Sequence, residues 1–246
     1  YRMSDVNDSV RREANRIVSK LGTFFETRVD GRDAVRWMKE SGSSNWRQME
    51  WIGFYFEESA LTVLDIEQGA SINNTVFDAC GEYVWDFKTH TVCTPSGNKR
   101  YEMYLNDAAS IEECVSGDGI GFIVAYVKPE YDTGQSFYSW HEELKESGEA
   151  YNKRQSDTST ASRVRKSGFV FDKIESYWID DMEMLESACR EGWMREAVQG
   201  VNSGGNERKS KYKLYPHRVP CENGIASFHF TEAEDLSKYL AKTELE

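Results

Sequence analysis

Tyr83-Val-Trp-Asp-Phe-Lys-Thr-His-Thr-Val92 is a long strand-prone run. Aromatic and β-branched residues dominate it, a composition suited to a half-buried pleated surface. Cys80-Gly81-Glu82 supplies a turn just before it, and Thr75-Val-Phe-Asp-Ala79 is a second strand-prone segment. The two segments predict a hairpin. Successive side chains of a strand point to opposite faces, so Asp86 and Lys88 share one face and His90 continues it.

Working outward, apolar positions Val10, Ala14, Ile17, Val18 and Leu21 recur at helical spacing, which predicts an amphipathic helix over 5–28 with Asp5 or Asp8 as cap. A polar, Gly/Ser-punctuated segment follows, around a short Ala34–Met38 helix. Residues 47–64 read as a strongly apolar helix, broken by the Gly69–Asn74 stretch. Beyond the hairpin, 95–100 is a loop and 105–117 is helical or irregular. Residues 119–127 read as a buried strand stopped by Pro129. Residues 136–146 read as a helix, 147–168 as a polar loop that turns basic, and 169–179 as a strand. Asp180 and Asp181 cap a helix expected to run to about Gln199, where Gly200 stops it. Residues 201–213 are a Gly-rich, then basic loop, and 225–230 a last strand. Thr231-Glu-Ala-Glu234 is a capping box that opens a C-terminal helix.

The chain has 246 residues, 39% hydrophobic and 13% aromatic. That is enough to build a core, which excludes wholesale disorder. Four prolines and the lack of any heptad, Gly-X-Y or longer repeat exclude coiled coil, collagen and solenoid. Ile120–Val127, among the longest apolar runs, is too short for a membrane span. The polar start Tyr1-Arg2-Met3-Ser4-Asp5 lacks a signal-peptide pattern. Five cysteines, an odd number without a CxxC pair, point to reduced thiols in a cytosolic protein rather than a disulfide framework or zinc ribbon. The formal charge of −12 argues against indiscriminate nucleic-acid binding. It leaves room for a DNA site built from local basic segments, because phosphate contacts depend on local charge.

From residue 47 to 179 the expected order is helix, strand, strand, strand, helix, strand, with Asp86-Phe87-Lys88 inside the second strand. Order and motif resemble the PD-(D/E)xK nuclease superfamily, and a type II restriction endonuclease in particular. The residues support this chemistry by themselves. A carboxylate holds Mg²⁺ through hard oxygen ligands. A neighbouring ammonium stabilises charge developing on a scissile phosphate. The same spacing at Glu143–Lys145 and Glu207–Lys209 falls in a helix and a loop, as chance matches do. The resemblance implies an α/β fold with a restriction-endonuclease-like mixed β-sheet core (αβββαβ) flanked by helices. It implies one nuclease domain over 1–246, with a catalytic core at about 47–179 and DNA-binding loops in 180–246.

The family needs a second carboxylate near the start of the preceding strand. Asp78 lies next to the Cys80-Gly81 turn, and its expected cross-strand partner is Tyr83 or Val84, too far along the ladder from Asp86. The position facing Asp86 and Lys88 is then Asn73 or Asn74, depending on loop length, and Asn74 directly precedes the strand. On this reading an amide replaces the family's acid, as a natural variant or as an inactivated form. Glu57, one turn after Gly53 on the preceding helix, is the expected third metal-site residue, with Glu50 and Glu58 as rivals; the small Gly53 would let the helix approach the sheet. His90 either touches phosphate or sits in a strand-end hydrogen bond.

Catalytic candidates are therefore Asp86, Lys88, Asn74 and Glu57, with Mg²⁺ (Mn²⁺ as substitute) on Asp86, Asn74 and Glu57. The DNA-binding candidates are Lys99, Arg100, Arg163, Arg165, Lys166, Arg208, Lys209 and Lys211, since Arg reads guanine bidentately and Lys contacts phosphate. The implied activity is Mg²⁺-dependent, sequence-specific hydrolysis of double-stranded DNA by a cytoplasmic prokaryotic homodimer, two-fold symmetry of the protein matching that of its site. Two alternatives stand beside it: an inactive DNA-binding relative of the same fold, and an acidic α/β interaction protein with no nucleic-acid role.

Overall fold

The structure, a computed structural model, describes residues 8–65, 71–72, 75–80, 83–146, 164–201, 205–220 and 224–230. It begins with α1 (Asp8–Phe24), β1 (Arg28–Asp30), α2 (Gly31–Glu40) and α3 (Trp51–Leu64). All five apolar positions that predict α1 are buried. Helix α2 is longer than expected because Asp30 caps it, its carboxylate accepting the Arg32 N–H at 2.9 Å. The next strands are β2 (Ser71–Ile72), β3 (Thr75–Val76), β4 (Asp78–Cys80) and β5 (Tyr83–Thr91). The expected hairpin is therefore split: β3 folds back onto β2, with Ile72 opposite Thr75, and only β4 pairs with β5.

The chain continues through β6 (Met103–Asp107), α4 (Ala108–Val115), β7 (Ile120–Asp132), α5 (Ser136–Glu146) and β8 (Arg165–Ile179). It then forms α6 (Met182–Glu191), β9 (Met194–Ala197), β10 (Lys211–Leu214) and β11 (Gly224–His229). The fold is α/β with a mixed sheet in the order β4-β5-β7-β8, β1 and β11 sharing the far edge of β8. The β5–β7 pair is parallel, and the connection between them carries β6 and α4; the other pairs are antiparallel. Strands β6, β10 and β9 form a separate antiparallel sheet.

Strand alternation divides the core in two. Trp85, Phe87, Ile123, Ala125, Phe169 and Phe171 pack with α1, α2 and α3. Phe122, Val124, Tyr126 and Tyr177 pack with α4, α6 and the small sheet. Each fully buried side chain of this size contributes about 1.5–3 kcal/mol relative to exposure. Gly121 is needed where it stands: a Cβ there would lie 2.1 Å from the Trp85 indole.

Later boundaries differ from expectation as well. Strand β7 runs through Pro129, because its last β5 partner is Val127. Beyond it β7 has a ladder neighbour on β8 only, and the missing proline N–H is tolerated. Strand β8 starts at Arg165 rather than Phe169, since the long β7 offers partners as far as Asp132. Helix α6 is capped by Asp181 as expected, with its carboxylate accepting the Met184 N–H at 2.8 Å. It ends at Gly192, whose φ of +80° closes the helix in the left-handed conformation well before Gln199. Residues 211–214 are strand rather than loop. The capping box at Thr231 lies outside the described residues. Among these residues no helix is long and apolar enough to cross a membrane.

Candidate active site

Asp86, Lys88 and His90 face the α4/α6 side of the sheet, in register with Phe122, Val124 and Tyr126 of β7. Asp86 is 1% exposed. Lys88 Nζ approaches its Oδ2 to 2.5 Å. This buried oxygen is ion-paired with the ammonium. Asp86 Oδ1 accepts the Asn106 amide at 3.1 Å. Asn106 lies near the end of β6, a strand of the other sheet, and ties that sheet to the site.

Asp78 is the main correction to the sequence reading. It stands opposite Trp85, one to two residues closer to Asp86 than expected. At the first position of β4, it leaves the next inward-facing donor of β5, the Phe87 N–H, without a strand partner. Its Oδ2 accepts that N–H at 3.0 Å. The carboxylate thus lies beside Asp86 in the edge of the sheet, 2% of the residue exposed. Asn73 and Asn74 lie outside the described residues.

Glu57 completes the group from α3, which packs on β5. It hydrogen-bonds Asp78 and feels the charges of Asp78, Lys88 and Asp86. Burial and the Asp78 carboxylate raise its pKa far above the usual carboxyl range; burial and Asp86 raise that of Asp78. Both are held above the ordinary carboxyl range, and the two side chains share a hydrogen bond. The rivals are elsewhere: Glu58 accepts from Ser43 and Asn45, and the exposed Glu50 pairs with Lys166 at 3.4 Å. A Cβ added at Gly53 would meet nothing within 4 Å, so Gly53 is not the point of close approach expected of it. His90 Nε2 lies 3.2 Å from the Arg100 carbonyl, and burial lowers its pKa. Burial holds the Cys114 thiol up at about 11, with Glu113 and Asp86 adding to it, so it stays neutral.

Three carboxyls and one ammonium therefore converge from α3, β4 and β5. Among the described residues no three His, Cys, Asp or Glu donors already form a metal cage. Mg²⁺ does not need one, because it keeps several waters and takes one or two carboxylates. The mutual repulsion of the buried Asp78 and Asp86 carboxylates, hard oxygen donors at one sheet edge, fits such an ion.

The basic candidates separate into three groups. Lys99 and Arg100 are exposed in the loop after β5. Lys209 Nζ lies 3.4 Å from Asp107, next to the Asp86 partner Asn106, and Lys211 stands opposite Asp107 on β10; Arg208 is exposed beside them. Arg165 and Lys166 begin β8, opposite Asp132 and Tyr131. At about 3.3 Å per residue, Arg165 is roughly 30 Å along the sheet from Asp86. It stacks on Tyr138 at 5.4 Å. Arg163 lies outside the described residues. Asn106 was missed in the sequence, where nothing in Asn106-Asp107 points across to another sheet. Asp78 carried a usable signal: it is the acid nearest the start of the strand before Asp86. No protein-family model, curated protein or solved structure matches the chain.

Proposed function

We propose that this chain is a Mg²⁺-dependent deoxyribonuclease that hydrolyses phosphodiester bonds of duplex DNA. The observation that carries the reading is the convergence of Asp78, Asp86 and Glu57 with Lys88 at one sheet edge. The order α3, β4, β5, β7, α5, β8 supports the restriction-endonuclease-like core, with β6 and α4 as an insertion before β7. Asp78 at the start of β4 is the acid the PD-(D/E)xK pattern calls for, so the reason for expecting an inactivated form falls away.

Asp78 and Asp86 would hold the metal, with Glu57 behind Asp78. Bound there, the ion supplies Lewis acidity and an activated water. Lys88 places its ammonium against charge growing on the phosphate. Glu57 hydrogen-bonds Asp78 and orients that carboxylate. Lys209 and Lys211 offer charge to the backbone near the site, while Arg165 and Lys166 reach DNA further along. The resemblance adds sequence specificity and a homodimer that cuts both strands.

Incubation of supercoiled plasmid and a long unmethylated duplex with the full chain tests this. Nicking and discrete fragments are expected with Mg²⁺ or Mn²⁺, and none in EDTA or with Asp86→Ala. Absence of metal-dependent cleavage by the unaltered chain over a broad range of duplex sequences would overturn the reading.

A further inference from the structure

Two residues beyond Lys88, a cleft of ≈1060 Å³ opens over the same face of β5. Cross-strand register sets its floor. His90, Tyr126 and Lys173 form one row across β5, β7 and β8; Lys88, Val124 and Glu175 form the row before it. The floor is a paired polar network. Lys173 Nζ meets Glu175 Oε1 at 2.6 Å and lies 4.8 Å over the Tyr126 ring. Tyr177 donates to Glu175 Oε2 at 2.6 Å, so the 2.6 Å contact between the two hydroxyls has Tyr126 as donor. Burial raises the pKa of both phenols and keeps them protonated. Such a network is costly beside apolar residues of the same shape. A carboxylate has about four acceptor sites. The two bonds made by Glu175 leave capacity facing the cleft, which it lines.

The rim is aromatic and cationic. Tyr101 is 56% exposed and stands edge-on to His217, ring centroids 5.2 Å apart. Lys99 and Arg100 precede it, both exposed, in a chain whose net charge is −12. An exposed ring, adjacent cations and a half-buried carboxylate are the features that bind an unstacked base and its phosphate. The volume is near the upper end of clefts that hold small ligands, about 300–1,000 Å³.

We propose that the cleft takes one unstacked nucleotide of the DNA substrate, its base on Tyr101 and His217, its amino edge toward Glu175 and its phosphate at Lys99 and Arg100. This rests on the nuclease reading. The step from Lys88 to His90 is about 7 Å, within the reach of a single nucleotide, so a base in the cleft delivers the adjoining phosphate to Asp86 and Lys88. Cleavage then requires a base that leaves the stack.

The test is titration of the full chain with the four deoxynucleoside 5′-monophosphates in EDTA, followed by calorimetry, with Mg²⁺-dependent plasmid cleavage measured in parallel. Saturable binding is expected, with dAMP, dCMP and dGMP, which carry amino groups, ahead of dTMP. Deoxyribose 5-phosphate should bind no better than inorganic phosphate. Tyr101→Ala should weaken nucleotide binding by about tenfold or more, the scale of one lost stacking contact, and Tyr101→Phe should keep it. Tyr101 is exposed, so its loss spares the fold; Glu175→Gln, checked by thermal melt, should reduce the preference among bases. Cleavage without saturable nucleotide binding, or equal affinity for the abasic sugar phosphate, overturns the cleft and leaves the nuclease. Base-dependent binding without cleavage by the unaltered chain keeps a nucleotide cleft, but overturns delivery to the carboxylates together with the nuclease reading.

Discussion

Asp78 Oδ2 accepts the Phe87 N–H at 3.0 Å, so a side chain at the start of β4 fills a ladder position that the strand is too short to reach. The same bond holds a carboxylate beside Asp86. Asp78→Asn keeps an acceptor for Phe87 but removes the charge. It should preserve the far-UV spectrum and lower Mg²⁺-dependent cleavage by about 10²-fold or more. Asn74→Asp, the substitution the sequence favours for restoring activity, should change cleavage little. A large gain from Asn74→Asp together with an active Asp78→Asn would return the second acid to the turn.

Metal-free protein should be less stable at alkaline than at mildly acidic pH. Burial and Asp78 push the Glu57 carboxyl up to about 8. Its unfolded value is about 4.3. A raised folded value means the folded state binds more protons. Its stabilising effect is complete below the unfolded value and is lost as pH rises through about 8. The Tm in EDTA should fall between pH 5 and pH 8, and Glu57→Gln should flatten that fall. Added Mg²⁺ should raise the Tm more at pH 8 than at pH 6. Equal slopes for the two proteins would remove Glu57 from the site.

Lys88 and Asn106 both touch Asp86 but should fail differently. Lys88→Ala removes a charge from the reacting phosphate and should lower the maximal rate by about 10²-fold or more. Asn106→Ala frees Asp86 Oδ1, which the amide holds at 3.1 Å. It should chiefly raise the Mg²⁺ concentration for half-maximal cleavage, because second-sphere partners that orient a ligand tune metal affinity, often by about 10–100-fold. Metal titrations of both variants separate a positioning role from a catalytic one.

Two glycines should answer oppositely to alanine. At Gly121 a Cβ would lie 2.1 Å from the fully buried Trp85 indole, itself packed on Trp178 at 5.5 Å between centroids. Gly121→Ala should cost about 1–3 kcal/mol. Gly53 lies inside α3 with open space around it, so Gly53→Ala should stabilise by about 0.5–1 kcal/mol. Urea midpoints at unchanged slope measure both.

Much of the architecture was legible because it repeats along the chain. The period of Val10, Ala14, Ile17, Val18 and Leu21 marked the buried face of α1. The composition of 83–92 marked β5, and alternation put Asp86 and Lys88 together. Asp181 marked its helix start through its own side chain. The ends were less legible. Gly192 and Gly200 both look like helix stops, and only the pairing of β9 with β10 selects the first. Pro129 reads as a strand end until the position of the last β5 partner is known.

Within the candidate site, the Asp86–Lys88 pair is legible locally, since two residues of one strand share a face whatever surrounds them. The sequence also singled out Glu57 as a candidate on the neighbouring helix. Which of Glu50, Glu57 and Glu58 comes beside Asp78 depends on the angle at which α3 meets β5, and packing sets that angle. The closeness of Asp78 to Asp86 likewise depends on where β3 leaves β2 and β4 begins. A shift of one residue in that register reverses which side chains face the site, and register comes from contacts between segments that local sequence does not encode.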